Sequence, residues 1–267
     1  VMAKMKKATK DCPWGSDSLS KYIDILFDNV RASFCKRNNS YTDLLSVHEL
    51  FQATLQDLSR SETSIVSFFI ARSHASFLAA VTLLLGGQTS DCYMLLRGCI
   101  ENALYAFYIN KNPVRERAWI NRHKSDTHKK NCKNLFQMAT IMKVLEETDA
   151  KAKKYVGAVY DRTIDRGAHP NMLSVFTLVR KGRKRNAFTF SYQTTDSRVI
   201  RSSVHDTIHT GLVALTLLCV TLPDEIDTKS LRKSIMQVNE SSSAITRRCS
   251  RPVTPAIAAT GLRKKPK

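Results

Sequence analysis

The chain has 267 residues, of which 43% are hydrophobic, and it contains only 9 glycines and 7 prolines. This length allows one large domain or two small ones, and the composition excludes an extended disordered protein and favours a helix-rich globular one. Its 42 basic and 23 acidic residues give a formal net charge of +19. Such an excess favours polyanionic partners, with nucleic acid before anionic lipid.

Cysteine usage and hydropathy together predict a soluble cytoplasmic protein. The seven cysteines include no CxxC pair, and Cys92, Cys99 and Cys219 lie in apolar segments typical of a protein core. A disulfide framework is therefore not expected. The N-terminus lacks an apolar signal core, and the apolar runs at 77–85 and 212–222 are shorter than the roughly 20 residues that cross a bilayer. No membrane contact is expected.

The N-terminal part of the chain predicts a flexible basic arm, residues 1–17, followed by two amphipathic helices. The first helix ends at a polar break, residues 38–40. The second is capped by Thr42 or Asp43 and ends near Ser59. Apolar residues at helical spacing along both helices indicate that each buries one face.

The stretch 88–110 predicts the central helix of the molecule. Two adjacent stripes along it are apolar at helical spacing, which is typical of a helix in the middle of a bundle. A helix that starts at Ser61 ends at Gly86-Gly87, immediately before this stretch. Because so short a connection leaves no room for a crossover, the two helices form an antiparallel hairpin.

Three charged residues occur inside this otherwise apolar hairpin. Counting from the turn places Arg72 level with Glu101, which lies one helical turn from Arg97. The three side chains are predicted to form one polar cluster. Its simplest role is a buried ion-pair network that fixes the register of the hairpin, and the alternative is the wall of a small-ligand pocket.

The C-terminal half of the sequence predicts further helices with one β-hairpin between them. Alternating β-branched and aromatic residues at 173–194 flank the basic run Lys181–Arg185, which predicts a hairpin with a basic tip. The predicted helices are a short basic one after Pro113, one over 126–147, one from Ala150 to Arg166 that is stopped by Gly167, an apolar one from Asp196 or Ser197 to Pro223, and a last one over 225–238.

We therefore predict a mainly all-α fold, a multi-helix bundle with one inserted β-hairpin. A single helical domain spans about 18–240, with the hairpin near 173–194. A basic tail over 241–267, rich in Ser, Pro, Ala and Lys, is predicted to be disordered.

Several catalytic and cofactor signatures are absent from the sequence. It contains no glycine-rich phosphate loop, no GxSxG, no HExxH and no Cys/His zinc spacing. His205 and His209 are one helical turn apart and could both face a metal, but the sequence indicates no third ligand within reach of that pair. Neither a metal nor another cofactor is expected.

In residues 162–169, RTIDRGAH, six residues separate an arginine from a histidine at a predicted helix end. This pattern resembles the Arg-x4–6-His signature of the HEPN superfamily, helical domains of which many are metal-independent endoribonucleases in bacterial toxin–antitoxin and phage-defence systems. The run from Arg72 to Asn171 is also similar to uncharacterised bacterial helical proteins linked to that superfamily. The resemblance implies an RNA-cleaving protein that acts as a homodimer, with an antitoxin or other protein as a further partner.

Carried over to this sequence, the resemblance implies that His169 is the acid–base group and Arg162 the group that stabilises the strained phosphate. Imidazole transfers protons near neutral pH, and guanidinium donates to developing phosphorane charge. Arg97 and Glu101 would orient His169 if the two stretches met. Otherwise His169 is a structural histidine at a helix end.

RNA binding is assigned to the basic residues outside this acid–base group. They are Arg72, Lys181, Arg183, Lys184 and Arg185. The rival hypothesis is a non-catalytic helical module that binds nucleic acid or a protein partner through its basic surface. The two differ at His169, because catalysis requires its imidazole whereas charge-driven binding does not.

Overall fold

The computed structural model describes residues 13–36, 38–58, 65–169, 172–181, 187–222 and 226–247. These residues form an all-α helical bundle, as the sequence predicts, with eleven α-helices and two short strands in the described ranges. The helices are α1 (Ser18–Lys36), α2 (Asn38–Leu58), α3 (Ile65–Leu85), α4 (Asp91–Asn110), α5 (Pro113–Ile120), α6 (Asp126–Leu135), α7 (Met138–Thr148), α8 (Ala150–Thr163), α9 (Met172–Thr177), α10 (Ser197–Thr221) and α11 (Thr228–Arg247); the strands are β1 (Val179–Lys181) and β2 (Phe188–Phe190).

Helices α3 and α4 form the predicted antiparallel hairpin. The turn between them depends on Gly87, whose φ of 91° lies in the left-handed region that favours glycine. A side chain there would also collide with the backbone of Thr194, which donates its N–H to the Gly87 carbonyl. The hairpin is locked further along by Ser73, whose hydroxyl donates to the Cys99 carbonyl at 2.8 Å.

The centre of the bundle is the pair α4 and α10, packed against each other. Helix α10 is buried on nearly every side because α2, α3, α8 and α11 also pack on it. Gly211 lets it approach closely, since a Cβ at that position would lie 2.5 Å from Val47 Cγ1. The predicted core cysteines Cys92, Cys99 and Cys219 are all buried here.

A cluster of aromatic rings joins α5 and α6 to the centre of the bundle. Trp119 packs on Phe69, Tyr105 and Phe136 with ring centroids 5.1–5.3 Å apart. Phe136 is buried at the C-terminal cap of α6. The prediction of one helix over 126–147 is wrong, because the chain turns at Phe136 to place that ring in the cluster and then starts α7.

Helix α1 ends at Lys36, close to the predicted end, but residues 38–40 are not the break between the helices, since α2 already begins at Asn38. Asp43 does not cap this helix. It is buried, and it accepts a hydrogen bond from Ser241 of α11 at 2.9 Å. Helix α11 itself continues to Arg247, into the stretch predicted as a tail. The role of Asp43 and the length of α11 therefore depend on a contact between two helices that are far apart in sequence, which a local sequence pattern does not reveal.

The predicted β-hairpin is present but shorter than 173–194. Residues 172–177 form α9, and each strand has only three residues. The strands are antiparallel, with Val179 opposite Phe190 and Lys181 opposite Phe188. Two hydrogen bonds fix this segment to the α3–α4 turn: the hydroxyls of Thr177 and Ser90 are 2.5 Å apart, and Thr194 bonds Gly87. Residues 183–185 of the predicted tip lie outside the described residues.

Two helices are long and apolar enough to cross a membrane by length and composition, α3 and α10. The sequence predicts that no apolar stretch is long enough to cross a bilayer, and this prediction does not hold for these two helices. In α10, 78% of the most apolar stretch is buried inside the bundle, and in α3 the share is 44%. Core helices have this composition too, so the cytoplasmic location stays a prediction.

Candidate functional site

His169 is positioned by a wide helical turn at the end of α8. Residues Ile164–Ala168 continue that helix with π-type geometry, and His169 follows in an extended conformation on the surface. Gly167 makes this possible, because its backbone lies directly against the Ser90 carbonyl and leaves no room for a Cβ. The turn that carries His169 is thus held against the N-terminal end of α4.

Arg97 of α4 meets His169 in space. Its Nη1 lies 2.5 Å from His169 Nε2, and its Nε donates to Glu101 Oε1 at 2.8 Å. Tyr160 of α8 donates its hydroxyl to the same Glu101 oxygen at 3.0 Å, and the Arg97 guanidinium lies 5.3 Å from the Tyr160 ring centroid. We call these four side chains the Arg97 cluster.

The Arg97 cluster combines a fixed cation with an imidazole at the surface. Burial works against the charge of Arg97, but the hydrogen bond and the charge of Glu101 outweigh it and raise the pKa of the guanidinium. Burial and the neighbouring Glu101 charge raise the pKa of Tyr160, so its hydroxyl stays a donor. Because a guanidinium only donates, His169 Nε2 is the acceptor in this contact.

Arg162 belongs to a second cluster, centred on Asp206 of α10. Arg162 Nη1 donates to Asp206 Oδ1 at 3.0 Å, and Arg166 Nε lies 3.5 Å from Oδ2. The Tyr93 hydroxyl of α4 donates to Oδ2 at 2.8 Å. Arg166 also donates to Ser202 at 3.0 Å. These bonds join α8, the π-turn, α4 and α10, and we call them the Asp206 cluster.

The Asp206 carboxylate is ionised in spite of its burial. Desolvation alone would raise its pKa, but the neighbouring His205 ring, whose Nδ1 lies 4.0 Å from Oδ1, the charges of Arg166 and Arg162 and the Tyr93 hydroxyl together lower it. Burial, followed by the charge of Asp206, raises the pKa of Tyr93. The cluster therefore contains one buried anion, two cations and a neutral phenol, which is the composition of a structural ion-pair network.

The structure brings three of the predicted acid–base residues together: Arg97, Glu101 and His169. It places the fourth, Arg162, in the Asp206 cluster. The predicted cluster of Arg72 with Arg97 and Glu101 is wrong, because Arg72 is exposed on α3 and the structure shows no bond from it to either. The Arg72 side chain lies on the exposed face of α3, whereas the next two residues, Ser73 and His74, lie on its buried face.

Of the predicted RNA-binding residues, Arg72 lies on an exposed face of α3 and Lys181 ends strand β1. Arg183, Lys184 and Arg185 lie outside the described residues. RNA binding by any of the five stays a prediction.

Sequence reasoning missed Tyr160, Tyr93, Arg166 and Asp206. The two tyrosines occupy positions on apolar helix faces, and nothing in the sequence predicts the hydrogen bonds that their hydroxyls make. Asp206 did carry one, because a single carboxylate within an apolar helix requires a partner when it is buried. Finding that partner required the tertiary structure, since Tyr93 is 113 residues away.

The histidines of α10 do not assemble a metal site in the described part of the chain. The His205 and His209 rings stack at 6.2 Å, and no group of three His, Cys, Asp or Glu side chains is gathered there or elsewhere in the described ranges. Burial, then the charges of Arg162 and His205, lowers the pKa of His209.

The sequence model of one family matches residues 63–195, and that family is described as a family of unknown function (DUF5677). The matched stretch spans α3 to β2, so it contains the Arg97 cluster but not Asp206. No curated protein and no solved structure matches the chain. These findings leave the resemblance to the HEPN superfamily as a prediction.

Proposed function

We propose that this protein binds RNA and cleaves it without a metal ion, by attack of the RNA's own 2′-hydroxyl, at the Arg97 cluster. The single observation that carries the proposal is the contact between the Arg97 guanidinium and Nε2 of the exposed His169. It puts a phosphate-binding cation and a proton acceptor side by side on a protein with a net charge of +19.

The resting contact provides a simple way to engage substrate. A phosphate oxygen that accepts the Arg97 N–H takes the place of His169 Nε2, which is thereby released to accept a proton. Glu101 keeps the guanidinium oriented through its bond to Nε. Tyr160 holds Glu101 in turn. Glu101 and Tyr160 thus act as positioning residues, while Arg97 and His169 contact the reacting groups.

The reaction step uses His169 as the base. Its Nε2 takes the proton of the 2′-hydroxyl while the 2′-oxygen forms a bond to phosphorus. The bond from phosphorus to the 5′-oxygen breaks, and that oxygen takes up a proton from water. Arg97 donates to the phosphate oxygens as charge develops on them. The products are a 2′,3′-cyclic phosphate and a free 5′-hydroxyl.

In this proposal Arg162 has a structural role that differs from the one implied by the family resemblance. Its guanidinium already bonds the buried Asp206. It therefore acts by fixing α8 to α10, and so by setting the position of the π-turn that carries His169. Substitution of Arg162 should lower stability and activity together, whereas substitution of His169 should lower activity alone.

The experiment that tests the proposal incubates purified protein in EDTA with a mixed pool of structured and single-stranded RNAs. Wild type is compared with His169→Ala and Arg97→Ala, and His123→Ala serves as the control because His123 is exposed on another element. We expect 2′,3′-cyclic phosphate ends with wild type and the control, and a loss of at least 100-fold in both site variants. Equal cleavage by His169→Ala would overturn the proposal.

A second candidate function is the non-catalytic binding module, and α6 is the observation that favours it. Lys129, Lys130 and Lys133 are all exposed on this helix, which contributes no residue to the Arg97 cluster. Such a row of cations contacts phosphates without any chemistry. RNA that is bound by wild type and His169→Ala alike, and left whole by both, would favour this function. A homodimer, an antitoxin-like partner and a role in phage defence remain predictions under either function.

A further inference from the structure

A cavity of about 220 Å³ lies between helices α8, α10 and α11. Its floor is made of buried apolar side chains from α8 and α10, which are Ala152, Val156, Leu212, Val213 and Leu217. At its rim, Tyr155 of α8 is 64% exposed and Met236 of α11 is 63% exposed, so the cavity opens to solvent. A concave space with an apolar lining and an open mouth is typical of a site for a small molecule. We call it the α8–α10 cavity.

The cavity changes from apolar to polar along α10. Val213 and Leu217 belong to its floor, and His209 lines it one helical turn before Val213. One turn before His209 in α10, Asp206 pairs with Arg162 of α8 at 3.0 Å. His209 therefore stands between the apolar floor and the Asp206 cluster.

His209 brings an imidazole with an unused hydrogen-bonding atom to this cavity. Its Nδ1 is buried and has no hydrogen-bond partner among the described residues. Burial lowers the pKa of the ring, which is therefore neutral and holds one proton. A buried N–H without a partner is rarer in proteins than a buried acceptor without one, so the proton belongs on Nε2. Nε2 is then an N–H donor that can bind an acceptor group in the cavity.

The charges next to His209 favour an anionic partner. The Asp206 cluster sets the two guanidinium groups of Arg162 and Arg166 against the single carboxylate of Asp206, which leaves a net charge of +1. A positive potential at the polar end of the cavity attracts a carboxylate more than a neutral oxygen. Asn239 of α11 also lines the cavity, and its side-chain amide supplies further N–H donors.

The volume of the cavity limits the size of the partner. An apolar cavity of about 150 Å³ in another protein holds one benzene molecule. In proportion, 220 Å³ accommodates about nine non-hydrogen atoms, which is the number in benzoate.

We propose that the α8–α10 cavity binds a small carboxylate whose apolar body is the size of one aromatic ring. The apolar body lies on the floor formed by Val156, Val213 and Leu217. The carboxylate accepts the N–H of His209 Nε2 at the polar end. The inference stands apart from the proposed function, because no residue of the Arg97 cluster lines this cavity.

Isothermal titration calorimetry of the full chain with benzoate tests the proposal, and benzyl alcohol serves as the uncharged reference ligand. For a ligand of this size we expect a Kd of benzoate between about 0.05 and 1 mM. Benzyl alcohol has the same ring but no charge, so it should bind at least about fivefold more weakly. Equal affinities of the two ligands would contradict a site built for a carboxylate.

Thr216→Phe tests whether the ligand occupies this cavity. Thr216 lines the cavity, so a phenyl ring at that position fills the space and should weaken benzoate binding at least about tenfold. Thr82→Phe is the matched control, because Thr82 is exposed on α3. In both threonines the hydroxyl donates to the carbonyl four residues earlier. The control should change the affinity less than about twofold.

His209→Leu tests the polar anchor. It keeps an apolar side chain in the wall but removes the N–H donor, so benzoate should bind about tenfold more weakly. Benzyl alcohol, whose neutral hydroxyl makes a weaker hydrogen bond, should lose only about threefold. His209→Gln retains a side-chain N–H donor and should restore most of the affinity. Circular dichroism melting curves establish that each variant is folded.

Three further results would overturn the inference. The first is the absence of benzoate binding to wild type at up to about 10 mM ligand. The second is an affinity for benzoate that Thr216→Phe leaves unchanged, because the ligand would then lie elsewhere. The third is a folded His209→Leu variant that binds benzoate like wild type. If His209→Leu does not fold, Thr216→Phe and its control decide the outcome. None of these measurements involves RNA, so they succeed or fail independently of the proposed nuclease.

Discussion

At the residue scale, the Asp206 side chain is only 7% exposed, and its charge is compensated by residues from other elements. It forms ion pairs with Arg162 and Arg166 and accepts a hydrogen bond from Tyr93. Asp206→Asn would leave the two guanidinium groups without their anion, so we expect the free energy of unfolding to fall by about 2–4 kcal/mol. Urea denaturation followed by circular dichroism measures it.

Asp28→Asn is the control for that substitution. Asp28 pairs with Arg31 at 3.6 Å on a fully accessible part of α1, where both side chains are more than three-quarters exposed. Its loss should change stability by less than about 0.5 kcal/mol. Equal effects of the two substitutions would contradict a structural role for the Asp206 cluster.

His74 gives the folded protein a pH dependence. It is buried against Phe51, and its Nε2 lies 2.8 Å from His48 Nδ1. Burial, then the nearby His48, lowers its pKa from 6.5 to about 4. The neutral imidazole is therefore favoured by folding. The contribution of His74 to the free energy of unfolding is fully present above pH 6.5. It is lost as the pH falls towards 4, and the loss amounts to roughly 3 kcal/mol.

His74→Phe should remove most of that slope, because phenylalanine keeps the stacking on Phe51 and does not titrate. The measurement is the free energy of unfolding at pH 7, 6, 5 and 4 for wild type and variant. The lowered pKa of Asp206 acts in a separate window: its contribution is present above about pH 4 and is lost below it. A parallel pH profile for the two proteins would show that His74 is not the titrating group.

At the scale of elements, the closeness of α10 to α2 and α3 depends on one glycine. A Cβ on Gly211 would meet Val47 Cγ1 at 2.5 Å and Phe77 at 2.9 Å. Gly211→Ala should lower the free energy of unfolding by about 1–3 kcal/mol, because the added methyl group would overpack the core.

Gly157→Ala is the control. That glycine lies within α8 with nothing inside 4 Å, so alanine should stabilise by about 0.5–1 kcal/mol. In thermal denaturation we expect the Gly211 variant to be less stable than wild type and the Gly157 variant to be more stable. Changes in stability of the same sign for both variants would contradict this packing.

The elements differ in how far the sequence predicts them. The α3–α4 hairpin follows from apolar periodicity and a glycine pair, which are local features. The break between α6 and α7 does not, because it depends on Phe136 packing with Trp119 and Tyr105. The same holds for Asp43, whose partner Ser241 lies on α11. Local pattern gives the type of an element, while contacts distant in sequence give its ends.

At the scale of the whole molecule, the charge of +19 predicts RNA binding that weakens steeply with salt. Replacing the exposed Lys129, Lys130 and Lys133 of α6 with glutamine should reduce the slope of log Kd against log salt by about 2, since each phosphate contact contributes about 0.7 on a single strand. Fluorescence anisotropy of labelled RNA between 50 and about 300 mM salt measures the slope.

Lys229→Gln/Lys233→Gln is the matched control for charge, because both lysines are exposed on a different helix, α11, which packs on α2 and α10. Its effect on the slope should be smaller than that of the α6 variant. If the two variants gave the same change per lysine removed, binding would follow net charge alone and α6 would not be a specific contact surface.

The sequence by itself determined the all-α class, the central position of α4, the α3–α4 hairpin, the buried cysteines and a β-hairpin after His169, because periodicity and turn residues act over a few positions. It also predicted the pairing of Arg97 with Glu101, one turn apart on a helix. Only the tertiary structure decided that His169 meets Arg97, that Arg162 turns to Asp206 and that Arg72 faces solvent. Those outcomes depend on how α8 and α10 rotate against α4, and that rotation is set by packing across the whole core.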